Sequence, residues 1–152
     1  MIERYLLLAD RINSELLSIE KAVARAETAI NRSTEQTQDA EFFAASAAFD
    51  LQGFYSGFER LFELIANEID DSLPVGPSWH RDLLTQMAQS VPDVRPAVIS
   101  SDTASALSDY LEFRHVVRNM YTFNLKSDRV AELVGGSRSA YNMAQRDLTG
   151  FG

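Results

Sequence analysis

Phe113-Arg114-His115-Val116-Val117-Arg118-Asn119-Met120-Tyr121-Thr122-Phe123 is where cationic, imidazole, amide and phenol groups crowd together among apolar residues. On a helix, His115, Arg118 and Asn119 share one face at i, i+3 and i+4, and Arg114, Val117 and Tyr121 run down the neighbouring face. An ordinary amphipathic helix sorts aliphatics to one side and scattered charges to the other. This stretch instead sets an anion-ready polar cluster inside an aromatic frame of Phe113, Tyr121 and Phe123.

The segments around it are also helical. Ile2, Tyr5, Ala9, Ile12, Leu16, Ile19, Val23, Ala26 and Ile30 recur at gaps of three and four, the stripe of a long amphipathic helix. Asn31 to Gln38 is polar and ends it. A second long helix runs from about Asp39 to Asp70 on the stripe Phe43, Ala47, Leu51, Phe54, Phe58, Leu61, Ile65 and Ile69. Gly53 and Gly57 within it either admit another helix closely or are simply tolerated. Leu73-Pro74-Val75-Gly76-Pro77 is a turn, after which Ser78 caps a short helix reaching about Ser90. Val91 to Pro96 is a loop. Ser100, Ser101 and Asp102 offer a cap for a fourth helix, about 102–124, which carries the opening stretch. A short helix from Asp128 to Val134 is broken by Gly135-Gly136, and a weak one follows from about Ser137 to Leu148.

The spacing predicts an all-α fold. It is an antiparallel bundle with two long helices, a motif-bearing fourth helix and shorter packing helices. The 152 residues make one domain, with 1–134 as its core bundle and 135–152 as a weak C-terminal helix or tail. There is no cysteine, so no disulfide framework and no thiolate metal site is expected. No apolar run approaches the roughly 18–20 residues of a membrane span. The N-terminal residues lack the pattern of a signal peptide, so a cytoplasmic location is the default expectation.

A net charge of −8 argues against a general nucleic-acid-binding surface. The charge is uneven, however. Residues 1–110 carry 8 basic and 18 acidic side chains, net −10, whereas residues 111–152 carry 6 and 4, net +2. A local cationic site on an acidic body suits one phosphate-bearing ligand better than a long duplex. Arginine outnumbers lysine 12 to 2, a bias that suits bidentate phosphate contact but also follows from genome composition.

Several chemistries can be set aside. His80 and His115 lie far apart in sequence with no ligand spacing around them, so no metal site is predicted. Glu59 and Glu63 share a helix face, but no Glu-x-x-His partner accompanies them. No glycine-rich loop opens a helix, and no serine or cysteine nucleophile has a base. In the cluster that remains, Arg114 and Arg118 suit a phosphodiester clamp. His115 carries an imidazole, which can move a proton. Asn119 can hold a ribose or phosphate oxygen, although an amide is no general base. The competing reading pairs the arginines with Glu59 or Glu63 and leaves His115 capped or solvated.

Phe113 to Tyr121 resembles the signature of HEPN domains, in particular the HepT-like toxins of toxin–antitoxin pairs. That signature is an arginine, a polar residue, three variable residues, a histidine, any residue and a tyrosine. Arg114 matches the arginine, His115 the polar position and Tyr121 the tyrosine. Tyr55-Ser56-Gly57-Phe58-Glu59-Arg60-Leu61-Phe62 and Trp79-His80-Arg81-Asp82-Leu83-Leu84 resemble the same chains, and the likeness spans roughly residues 1–134.

The resemblance implies a HEPN-like bundle and a metal-independent endoribonuclease with no cofactor. Arg114, His115 and Asn119 are its implied catalytic positions, with Arg114 and Arg118 on the RNA phosphate. It implies tRNA or mRNA as substrate and a homodimer whose two motifs meet in one cleft. It also implies a minimal nucleotidyltransferase antitoxin that transfers AMP onto Tyr121. The motif's histidine falls on Asn119, which leaves three explanations open. The chain is a natural variant using Arg114, His115 and Asn119, or a degenerate HEPN protein that binds without cutting, or a toxin whose histidine was deliberately replaced.

Overall fold

The computed structural model describes residues 2–35, 37–118 and 126–151. Helix α1 spans Ile2–Glu35, and a 3-10 turn at Thr37–Asp39 leads into α2, Ala40–Ile65. A π turn, Ala66–Asp70, extends α2 until Asp71 takes a left-handed conformation and stops it. Helix α3 is Trp79–Met87, α4 is Ser101–Arg118 and α5 is Ser127–Phe151. Among the described residues there is no strand, and no helix is long and apolar enough to cross a membrane. The all-α bundle is the predicted one.

The two long helices pair as their stripes require. Ile12, Leu16, Ile19, Val23 and Ala26 of α1 are buried, as are Ala47, Leu51, Phe54, Phe58, Leu61 and Ile65 of α2. At the start of α1 the pattern shifts by one residue: Leu8 rather than Ala9 is buried, and Tyr5 stays exposed. Three ion pairs along the flank, Arg4–Glu68, Arg60–Glu15 and Arg25–Asp50, step in opposite directions along the two chains, so the helices are antiparallel. In each pair the arginine is exposed, and pairs open to solvent on one side set register more than they stabilise. Of the two α2 glycines, only Gly57 admits a neighbour. A Cβ there would lie on Ile19 Cγ1, whereas one on Gly53 would meet nothing within 4 Å.

The fifth helix departs from the sequence reading. Gly135 and Gly136 do not break it, and α5 is continuous through both. Two glycines weaken a helix by roughly 1 kcal/mol each. Against that, Val130, Leu133, Val134, Ala140, Tyr141, Ala144 and Leu148 are all buried in the shared core. Gly136 also lies where Tyr110 of α4 arrives. The tyrosine hydroxyl donates to the Leu133 carbonyl at 2.6 Å, and a Cβ on Gly136 would sit 3.1 Å from that oxygen. Burial pushes the Tyr110 phenol up to about 12, so it remains a donor. Tyr141 reaches the Leu16 carbonyl of α1, which ties α5 to the long pair.

The caps follow expectation in one case and not in the other. Of the three candidates before α4, Ser100 caps it by accepting from the Thr103 amide at 3.1 Å. Asp147 of α5 accepts from the Ser100 amide and the Thr103 hydroxyl, locking the two helix ends together. Ser78 stands at the start of α3 but makes no side-chain cap bond. The predicted 102–124 helix is described as far as Arg118, and its remainder lies outside the described residues.

Below the bundle, Arg95 fastens the loop after α3 to the end of α2. Its guanidinium donates to both carboxylate oxygens of Asp70, at 2.6 and 2.7 Å, and to three backbone carbonyls. Gln86 adds a further bond to Asp70. The Asp70–Arg95 pair is almost wholly buried.

Candidate active site

Three helices converge on one group, the carboxylate of Glu59. It lies on the buried side of α2, one turn beyond Tyr55 and close to Ser56. From α4, Arg114 reaches across and makes a fork: Nη1 donates to Oε1 at 3.1 Å and Nη2 to Oε2 at 3.0 Å. Nη1 also donates to the Ser56 hydroxyl at 3.1 Å. The Arg114 guanidinium lies 5.1 Å above the Tyr55 ring, within cation–π range. Its side chain is 3% exposed. Burying a guanidinium is tolerable only with such a matched acceptor.

The third contribution comes from α3. His80 Nδ1 lies 2.7 Å from Glu59 Oε2 and 2.9 Å from Arg114 Nη2. One nitrogen cannot both donate to the first and accept from the second. The carboxylate has no proton to give, and its contact is the shorter, so Nδ1–H donates to Glu59. Arg114 Nη2 then spends its donors on the same carboxylate and merely packs beside the ring. In the neutral imidazole this places the lone pair on Nε2. Trp79 stacks on His80 with ring centres 3.7 Å apart and steadies its plane.

Next to this buried cluster the surface opens into a cleft of about 530 Å³. Its lining includes His80 and Arg81 of α3 and Glu112, Arg114, His115 and Arg118 of α4. His115 and Arg118 are exposed on the outer side of α4. Arg81 pairs loosely with Glu112 at 3.5 Å, both in solvent. The cleft therefore concentrates three arginines and two imidazoles around one surface carboxylate, in a chain whose overall charge is strongly negative. Glu63, one turn beyond Glu59, has its carboxyl raised by burial and then by the neighbouring Glu59 charge. Burial likewise raises the Tyr55 phenol, and Tyr55 Oη is the one buried side-chain polar atom without a hydrogen-bond partner among the described residues. Among the same residues no group of three or more acidic, histidine or cysteine side chains is placed to hold a metal.

The site residues read from the sequence are placed unequally. Arg114, His115 and Arg118 line one cleft, but Arg114 is the floor of it, paired to Glu59 as the competing reading had it. Asn119 and Tyr121 lie outside the described residues. Sequence reasoning missed His80 and Arg81. Spacing sets His80 aside because 35 residues separate it from His115, and only the packing of α3 against α4 closes that gap. The available signal was the Trp79–Leu84 stretch, which shares its family likeness with the 113–121 motif.

A family model described as HepT-like protein matches residues 46–152, which takes in every described residue of the cleft. No curated protein and no solved structure matches the chain.

Proposed function

The chain belongs to the HepT-like protein family, and on that footing we propose that it is the toxin of a toxin–antitoxin pair, an endoribonuclease that cuts RNA without a metal. The observation that carries this reading is the cationic, imidazole-bearing cleft on an acidic protein. Arg118 and Arg81, with solvent-exposed side chains, are the arginines able to meet an RNA phosphate directly. Arg114, its charge matched by Glu59, holds the floor of the site. As the ribose 2′-hydroxyl attacks the phosphorus, charge builds on the non-bridging oxygens, and fixed cations facing them lower the barrier. His115 supplies proton transfer, an effect of about 10²–10⁴-fold.

The partners follow from the same reading. A second copy of the chain completes the cleft, so the active form is a homodimer. A minimal nucleotidyltransferase is the antitoxin, acting on Tyr121. The substrate is tRNA or mRNA. A second reading, binding of RNA, a nucleotide or a partner protein without cleavage, is favoured by one observation: the motif's histidine position holds Asn119, whose amide cannot serve as a base.

Incubation of the purified protein with tRNA and with mRNA in excess chelator separates the two. The nuclease reading expects fragments ending in a 2′,3′-cyclic phosphate. It also expects Arg118→Ala to weaken RNA binding and to lower the slope of log affinity against log salt by roughly 0.7 to 1. RNA left intact by the parent but cut after Asn119→His marks a crippled nuclease. RNA bound and left intact by both proteins establishes the binding-only reading.

A further inference from the structure

We infer that His80 is the general base of this cleft, presenting Nε2 to the ribose 2′-hydroxyl while Glu59 holds its Nδ1–H. The inference rests on the ribonuclease reading and deepens it by assigning the proton acceptor that Asn119 cannot be.

Four observations carry it. The Nδ1 to Glu59 Oε2 contact of 2.7 Å leaves the lone pair on Nε2. The Glu59 carboxylate is 8% exposed and gripped in turn by Arg114, so the imidazole is oriented by a group that cannot swing away. Nε2 makes no hydrogen bond among the described residues and is not a buried orphan, and the ring is 30% exposed at the wall of the cleft. Trp79 covers one face of the ring, which restricts approach to the nitrogen edge. A carboxylate behind one ring nitrogen and an open lone pair on the other is the arrangement by which an imidazole accepts a proton and has the resulting charge stabilised. The charged groups around the ring are Glu59 and Glu63 from α2, Arg114 from α4 and Arg81 beside it on α3. The two acids bring negative charge to the ring and the two arginines positive charge.

The step balances without any further reagent. The 2′-hydroxyl proton passes to His80 Nε2 as the O2′–P bond forms. The P–O5′ bond breaks, and the departing 5′ oxygen takes a proton from the imidazolium of His115, across the same cleft. The products are a 2′,3′-cyclic phosphate and a 5′-hydroxyl end. Water then returns the histidines to their starting states by carrying the proton from His80 to His115. In this scheme Glu59 is a positioning residue, and His80 is catalytic because it touches the reacting hydroxyl.

The test is the pH profile of RNA cleavage in chelator for the parent, His80→Asn and His80→Ala. Asparagine keeps an N–H where Nδ1–H was and so retains the bond to Glu59, but it has no base at the Nε2 position. The expected result is a fall of about 10²-fold or more in His80→Asn, with the acid-side limb of the profile gone. In His80→Ala, added imidazole should restore part of the rate. Cleavage by His80→Asn at the parent's rate and with the parent's pH limb overturns the assignment while leaving the ribonuclease reading intact. A parent that cuts no RNA overturns that reading, and the base role falls with it. Independently of cleavage, ¹⁵N NMR of the imidazoles should show His80 protonated on Nδ1 with Nε2 bare at neutral pH. An Nε2–H tautomer would refute the proposal even in an active enzyme.

Discussion

Arg114 and Glu59 face each other in a two-pronged pair, with Nη1–Oε1 at 3.1 Å and Nη2–Oε2 at 3.0 Å, sealed between α2 and α4. The motif arginine is therefore a structural member of the bundle as well as a charge in the cleft. A buried pair of this kind adds little net stability over an apolar isostere, but removal of one partner strands the other.

Arg114→Ala is accordingly expected to destabilise the protein by about 3–5 kcal/mol, because the Glu59 carboxylate is left without its main donor. The double variant Glu59→Ala, Arg114→Ala should be more stable than Arg114→Ala alone. Urea denaturation of the four proteins in a double-mutant cycle measures this. Additive losses would show that the two groups do not depend on one another. Loss of activity in Arg114→Ala says nothing about catalysis until that measurement is made.

Asp70 and Arg95 give the fold a pH-dependent component. Burial by itself raises the Asp70 carboxyl, but the hydrogen bonds from Arg95 and Gln86 outweigh it and hold the group below its ordinary value of 3.8. A carboxyl that binds its proton less readily when folded stabilises the native state at pH above 3.8. That contribution is lost as pH falls from there through the lowered folded value. Asp70→Asn should lower stability at neutral pH and flatten the acid side of the stability curve. Urea midpoints taken at descending pH report it, and an unchanged acid limb would rule the pair out as its source.

Gly57 and Gly135 should respond in opposite ways to alanine. At Gly57 the new methyl would press on buried Ile19 and force α1 and α2 apart, a loss of about 1–3 kcal/mol. At Gly135 it would meet nothing within 4 Å on an exposed face, so the helix should gain up to about 1 kcal/mol. Thermal or urea unfolding of the two variants decides it. Stabilisation by Gly57→Ala would show that the long pair has slack at that level.

Tyr121 is expected to be the site on which the antitoxin acts. It stands seven residues after Arg114 in the sequence and matches the motif tyrosine. An attached AMP would bring bulk and negative charge to a cationic cleft and compete with RNA phosphate there. Intact-mass spectrometry after incubation with a minimal nucleotidyltransferase, ATP and magnesium should show AMP-sized additions that vanish in Tyr121→Phe. Additions that persist in that variant place the modification elsewhere.

The bundle was legible in the sequence because helical periodicity is a local property. The stripe from Ile12 to Ala26 repeats every three or four residues, and each repeat buries the same face. The helix through residues 113–118 was legible for the same reason, its residues being contiguous. The continuity of α5 was not. Two adjacent glycines signal a break, and whether the helix continues depends on Tyr110 and the core beneath them, which no local pattern reports. The centre of the site was hidden for the same cause. Glu59, His80 and Arg114 are separated by 21 and 34 residues and sit on three different helices. Sequence determined that each would be helical and which acids the arginines had within reach. Only the packing of α3 into the angle between α2 and α4 decided that one carboxylate would hold both the arginine and the histidine, because a buried charge takes as partners whatever donors the surrounding helices bring to it.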